Sequence, residues 1–260
     1  MEKKLNKILI FIITYKASYR VKKVFKEIPF KKLNKYKIYT LISDDASDDE
    51  TIKYIKEIYK KNKNVFYNIN NKNLGYGRHI KNCLNFAIRK KFDYAIMIHG
   101  DGQYSPMYIP KILEKFKKKP NIGAVVGSRI LRGLSKVRSG GMPFYKMFGN
   151  ILLTKFYNYL LDTNFTDAHS GLWGYNLKYL KKKELNNLAD TFNFDQDIRF
   201  FYVLNKKEIA EVPINTYYGD ERSQLHIVYA VKFFFFTLKY LLIKLKFFKN
   251  TLHLKKRKKF

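Results

Sequence analysis

Cysteine is nearly absent from this 260-residue chain, where Cys83 stands alone. A single thiol excludes an intrachain disulfide and a cysteine-built metal site, and it fits a reducing compartment. Acidic residues are scarce too: 21 Asp and Glu face 52 Lys and Arg, a formal net charge of +31. That balance creates a positive potential favouring anionic ligands and membrane surfaces. No uncharged run approaches the ~20 residues that a bilayer span requires. Nor does any internal repeat or Pro/Gly/Ser-rich linker divide the chain. The opening MEKKLNKILIFIITYK sets lysines before an apolar run. Residues 8–13 are too few for a secretory signal and no small-residue cleavage site follows, so the stretch is expected to be the first buried strand. Nucleic-acid binding is the class the charge first suggests. Against it, the lysines are scattered through every segment, no nucleic-acid motif is visible, and the acids cluster where a groove for nucleic acid would repel them. No nucleic-acid partner is expected.

What is present alternates. KILIFIITY is a continuous β-branched run, the signature of a strand covered on both faces. YKIYTLISDD, NVFYNIN, DYAIMIHGDGQ and IGAVVGSRIL read as four further strands, with helical spacing between them in ETIKYIKEIYKK, NLGYGRHIKNCLNFAIRK and MYIPKILEKFKK. This pattern predicts an α/β fold with a mainly parallel sheet flanked by helices. Ligands in such sheets bind beyond the carboxyl ends of the strands. Three polar loops fall there: the acids after Ile42, the glycines after Asn73, and the turn HGDGQ. In HGDGQ, His99, Asp101 and Gln103 occupy alternate positions and point the same way if extended, a cluster of metal-compatible donors between two flexible glycines. A tight polar turn is the equally simple reading at this point.

Beyond Lys136 the alternation weakens to helical FGNILLTKFYNYLL, then TDAHSGLWGYN, FNFDQDIRFFYVL and a strand-like EIAEVPINTYY. The end of the chain, LHIVYAVKFFFFTLKYLLIKLKFFKN, repeats lysine at 232, 239 and 246, one narrow stripe on an apolar helix. Two occupants suit it, a membrane interface or the protein's own core. The basic tail KKRKK points to the interface. A catalytic domain over residues 1–225 and an amphipathic basic helix with tail over 226–260 are expected.

Taken in order, TYKA, SDDASDDET, NLGYGRHI, HGDGQYSP, GSR, DAHSGLWGY and FDQDI resemble the family 2 glycosyltransferases over residues 8–225. Within them the chain is most similar to the polyprenyl-phosphate (dolichol-phosphate mannose synthase-like) branch. The resemblance implies a GT-A type nucleotide-sugar-binding fold. It implies an inverting transfer from a nucleotide-diphosphate sugar to a lipid-linked, polyprenyl-phosphate-like acceptor at the cytoplasmic membrane face. Transfer to a saccharide hydroxyl in cell-surface polysaccharide or lipopolysaccharide synthesis is the alternative. The location implied is cytoplasmic and peripheral at the inner membrane face, with a partner membrane subunit left open.

The same resemblance assigns substrate binding to Thr14, Tyr15, Asp44 and Asp45, to Gly75, Gly77 and Arg78, and to Arg129, Lys146, Ser170 and Arg222. HGDGQ stands where the family carries an aspartate–any–aspartate motif that holds a divalent cation, Mn²⁺ or Mg²⁺, on the diphosphate. Asp101 is the matching carboxylate and Gln103 the second candidate ligand. His99 replaces the first aspartate and, if it ligates, favours Mn²⁺ over Mg²⁺. In FDQDI, Asp195 or Asp197 is the candidate base for a hydroxyl acceptor, whereas an ionised lipid phosphate needs none. Trp173 takes a position that is often arginine, as packing or as a platform for substrate.

Overall fold

A computed structural model describes residues 6–119, 121–216 and 238. Seven strands and eight helices are named over these residues: β1 (Lys7–Thr14), α1 (Arg20–Lys26), β2 (Lys37–Asp44), α2 (Thr51–Lys61), β3 (Val65–Ile69), α3 (Tyr76–Arg89), β4 (Tyr94–His99), α4 (Ile109–Lys118), β5 (Ile122–Ser128), α5 (Leu134–Ser139), α6 (Phe144–Leu161), β6 (Trp173–Asn176), α7 (Lys182–Asn186), α8 (Phe194–Leu204) and β7 (Glu208–Pro213). Arg222 and, apart from Leu238, the helix expected over 226–260 lie outside the described residues. Among the described residues, no helix is long and apolar enough to cross a membrane.

The seven strands form one sheet in the order β3-β2-β1-β4-β6-β5-β7. All neighbours run parallel except β6, which is antiparallel to both β4 and β5. The mainly parallel α/β sheet read from the sequence is therefore present. The strand pairing differs at one place, because WGYN inserts between β4 and β5, which the alternation alone would make neighbours. Four residues containing a glycine carry too little periodicity to announce a strand.

The central strands owe their place to two-sided burial. Along β1, Ile8, Ile10 and Ile12 enter one core with Ile42, Ile96 and Ile98, while Leu9, Phe11 and Ile13 enter the other with Leu41, Met97 and Trp173. Alternate residues face opposite sides of a strand, so a run apolar at every position demands a layer on each face. Helices α1, α2 and α4 cover one face; α3, α7 and α8 cover the other. This arrangement brings Thr14, Asp44, His99 and Ser128, each the last residue of its parallel strand, to one edge.

Candidate functional site

At that edge the backbone turns are held by side chains. Thr14 Oγ1 donates to Asp44 Oδ1 at 2.8 Å, and Asp44 also accepts from the Ser47 amide and hydroxyl, both at 2.7 Å. Asp44 is fully buried, so its carboxylate builds the turn after β2. Asp45 faces the next loop. It accepts from Asn70 Nδ2 at 2.8 Å, the Leu74 amide at 2.9 Å and the Gly75 amide at 3.0 Å. A carboxylate taking three donors from one loop fixes that loop's shape. Tyr15 remains exposed beside these acids. Behind them, His79 Nε2 lies 2.8 Å from Ser43 Oγ, and burial lowers the His79 pKa despite the two nearby aspartates.

Gly75 opens α3 at φ +84°, a left-handed geometry that glycine takes at no steric cost. Gly77 is required for a different reason: a Cβ there would lie 2.6 Å from the carbonyl oxygens of Ala189 and Thr191. The start of α3 thus packs directly on backbone. Arg78 reinforces the contact, its amide donating to the Asp190 carbonyl at 3.0 Å and its guanidinium pairing with the Asp190 carboxylate at 3.1 Å. Buried Lys81 pairs with the same carboxylate and donates to the Leu188 carbonyl at 2.8 Å. Tyr76 lies between the two glycines. Its hydroxyl donates to Asp195 Oδ2 at 2.9 Å and its ring stacks on Phe192.

The turn after β4 joins this wall. The His99 ring sits between Tyr76 and Tyr104, at centroid distances of 5.9 and 5.3 Å. Its Nε2 is buried against the Gly171 backbone. Burial lowers the His99 pKa, against the pull of Asp101, and favours the neutral ring. A Cβ on Gly100 would collide with the Thr14 side chain, and Gly102 takes φ +82°. Asp101 is half-buried and accepts from the Gln103 amide at 2.9 Å. Among the described residues, no three His, Cys, Asp or Glu side chains gather to hold a metal. The donors fit a hard cation completed by oxygens from a bound phosphate, led by Asp101, more closely than an all-protein cage. The His99 ring is thus enclosed by Tyr76, Tyr104 and Gly171.

Arg129 is mostly buried, and its Nε and Nη2 donate to the two oxygens of Asp167 at 2.7 and 2.8 Å. Its Nη2 also reaches the His169 carbonyl. Asn150 Nδ2 adds a bond to Asp167 at 3.2 Å. Burial alone would raise the Asp167 pKa, but the Arg129 charge and hydrogen bonds outweigh it and hold the carboxyl well below the usual range. Arg129 therefore clamps the GSR loop to DAHSG. Ser170 is fully buried in that segment, its Oγ without a hydrogen-bond partner. His169, adjoining Gln196 Nε2 at 3.1 Å, is pushed down to about 4 by burial. Trp173 is fully buried, stacked on Tyr175, with the Arg199 guanidinium 4.8 Å from its ring, so it packs the core. Lys146 lies on α6 beside the Tyr145 ring.

The two acids of FDQDI divide. Asp197 Oδ2 accepts from the Ala189 amide at 2.6 Å and so supports the segment under Gly77. Asp195 is pushed up to about 7 by burial, against the opposing pull of Tyr76 and Arg199. The structure thus gathers Thr14, Asp44, Asp45, Gly75, Gly77, Asp101 and Asp195 along linked loops. Tyr76, Lys81, Asp167 and Asp190 are partners that motif reading passed over. Tyr76 lies in plain view inside NLGYGRH, and Asp167 is the second acid, after Asp162, to follow a long acid-free stretch.

A sequence model of glycosyl transferase family 2 matches residues 9–183. An uncharacterized protein of Methanocaldococcus jannaschii is 41% identical over 101 residues, which span 38% of this chain and 44% of that protein. The UDP-N-acetylglucosamine–dolichyl-phosphate N-acetylglucosaminyltransferase of Methanococcus voltae is 28% identical over 225 residues, 82% of this chain and 87% of its own. Among solved structures, a Pyrobaculum calidifontis mannosyltransferase in complex with GDP-Man and Mn²⁺ superposes with a TM-score of 0.59 at 12% identity. That match covers 87% of this chain and 60% of the mannosyltransferase. Glucosyl-3-phosphoglycerate synthase of Mycobacterium tuberculosis with UDP gives a TM-score of 0.62 at 12% identity, covering 91% of this chain and 80% of that one. At such identities these likenesses concern the fold.

Proposed function

The chain belongs to glycosyl transferase family 2, and from that premise we propose that this glycosyltransferase moves a sugar, with inversion, from a nucleotide-diphosphate sugar to a polyprenyl-phosphate-like lipid at the inner membrane face. The observation that carries the acceptor class is the state of the two carboxylates in FDQDI. Asp197 supports Ala189 and Asp195 binds Tyr76. An acceptor hydroxyl needs a base as it attacks, whereas an acceptor phosphate is already ionised. The likeness to the dolichyl-phosphate enzyme of Methanococcus voltae over most of both chains supports the same choice.

In the reaction, a phosphate oxygen of the acceptor attacks the anomeric carbon from the face opposite the nucleotide. The bond to the diphosphate breaks, and its electron pair leaves on the β-phosphate oxygen. Thr14, Tyr15 and the loop that Asp45 holds shape the pocket for base and ribose. Asp101 and Gln103 would hold a divalent cation, Mn²⁺ or Mg²⁺, which supplies positive charge to the leaving diphosphate. His99 and Tyr104 close one wall and exclude water. Arg129 keeps the DAHSG loop, with Ser170, beside the reacting centre.

A saccharide hydroxyl as acceptor is the second reading; it requires Asp195, whose pKa near 7 suits a general base, to give up its bond with Tyr76. The test is to incubate the purified protein with membranes and a panel of labelled nucleotide sugars, with and without Mn²⁺. Butanol-extractable label identifies a lipid acceptor. Label passing only into water-soluble saccharide overturns that acceptor in favour of the second reading.

A further inference from the structure

Helix α6 carries a second apolar face, exposed on its outer side. Its inward positions are Met147, Asn150, Thr154, Tyr157 and Leu161. Its outward positions are Phe144, Tyr145, Phe148, Leu152, Lys155 and Tyr159. At 3.6 residues per turn the outward set falls within about 100° of arc, a single face. On it Phe144 and Tyr145 are each 70% exposed, Phe148 59%, Leu152 58% and Tyr159 85%.

The polar residues on the inner side have their own task. Thr154 Oγ1 accepts from the Ala168 amide at 3.2 Å, and Asn158 bonds both the carbonyl and the amide of Phe165 at 2.8 and 3.0 Å. With Asn150 on Asp167, these contacts tie the helix to the loop that receives Arg129. The inner side thus holds a loop with its polar residues while Met147, Tyr157 and Leu161 pack into small apolar clusters. No such demand accounts for three phenylalanine and leucine side chains and two tyrosines facing outward.

Charge points to what covers them. No acidic residue occurs between Glu114 and Asp162, while Arg132, Lys136, Arg138, Lys146 and Lys155 fall within that stretch. Aromatic rings and a leucine flanked only by cations suit a surface with anionic headgroups over an acyl layer. Tyrosine at both ends of the face fits the same boundary, where an apolar ring and a wet hydroxyl are both satisfied.

We propose that the outer face of α6 docks peripherally on an anionic lipid bilayer. The assignment rests on the membrane-facing part of the proposed function and names the element that makes the contact. It sets lipid about one helix diameter, ~10 Å, from the Arg129–Asp167 clamp.

The test uses the full-length chain and vesicles of phosphatidylcholine with and without phosphatidylglycerol, free of polyprenyl phosphate and of nucleotide sugar. Docking is thereby read apart from transfer, and either can fail alone. The wild-type chain is expected to co-sediment with the anionic vesicles, less so in high salt. The Phe144→Ser/Phe148→Ser pair should weaken that binding about tenfold or more while leaving the circular dichroism spectrum unchanged. In Phe148→Trp, the new indole should shift to the blue on vesicles and be quenched by brominated lipid, over the constant background of buried Trp173. Undiminished binding of the double serine variant, or an indole that brominated lipid does not quench, overturns the proposal and moves the contact elsewhere, residues 226–260 included. Absence of vesicle binding overturns it as well. A dimer in sedimentation velocity that the serine pair dissolves would then give the face to a second copy.

Discussion

The Tyr76 hydroxyl donates to Asp195 Oδ2 at 2.9 Å, joining residues 119 positions apart and binding the start of α3 to the start of α8. That bond places an aromatic ring against His99 on one side and Phe192 on the other. A loop from one half of the sheet is so fixed to a helix from the other.

The pH dependence of stability should carry the mark of Asp195. Its folded pKa, near 7, lies above the ordinary aspartate value of about 3.9. The folded state therefore binds more protons between those values, and its stability falls as pH rises from about 4 to 7, then levels. Asp195→Asn retains an acceptor for Tyr76 and removes the charge. Relative to wild type it should gain on the order of 4 kcal/mol between pH 4 and pH 8. Urea unfolding at both ends of the range measures the difference, and parallel pH profiles for the two proteins would contradict it.

Gly77→Ala tests the packing of the β3–α3 loop. The new methyl would press on two carbonyl oxygens at 2.6 Å, which cannot rotate away as a side chain would. The variant should lose about 1–3 kcal/mol in denaturant unfolding and bind a nucleotide sugar more weakly in calorimetry. Unaltered values for both would mean that residues 188–191 yield freely.

Arg129 and Asp167 form a buried pair, and breaking one half is costlier than replacing both. Asp167→Asn should destabilise by about 3–5 kcal/mol, since it leaves a buried guanidinium without its counter-charge. Arg129→Met/Asp167→Leu together should cost less than the sum of the single changes. A double-mutant cycle by chemical denaturation reads the coupling, and simple additivity would refute it.

For the reaction itself, Asp101→Asn should lower turnover about 10²–10³-fold with unfolding unchanged. Removing divalent cations with a chelator should stop transfer, and Mn²⁺ should restore it. Turnover that persists in the substituted protein at the wild-type rate would take Asp101 out of the site.

How much of this was legible in the sequence depended on the kind of residue. Strands β1 and β4 are readable because both faces are buried and the positions from Ile8 to Ile13 and from Tyr94 to Ile98 are apolar throughout. Strand β6 is not, since it is short, contains Gly174 and owes its place to partners distant in the chain. Adjacent aspartates after β2 looked interchangeable, yet Asp44 turns inward to Thr14 and Ser47 while Asp45 reaches the next loop. Only the alternation of the strand decides which is which. The pairing of Arg129 with Asp167 is invisible in the sequence because the partner lies 38 residues on and outside any local pattern. Trp173 had two readings, and full burial beside Tyr175 selects packing.

The insertion of β6 between β4 and β5 has a consequence for biosynthesis. Strands β1 to β4 emerge from the ribosome in succession and can zip together as they appear. The free border of β4, from Tyr94 to Met97, must then wait for Trp173–Asn176 to be translated before its hydrogen bonds are met. Throughout that interval the nascent polypeptide carries an open, apolar border suited to pairing with a neighbour on the same polysome. Chaperone occupancy during elongation should peak over this interval and drop once β6 has left the exit tunnel.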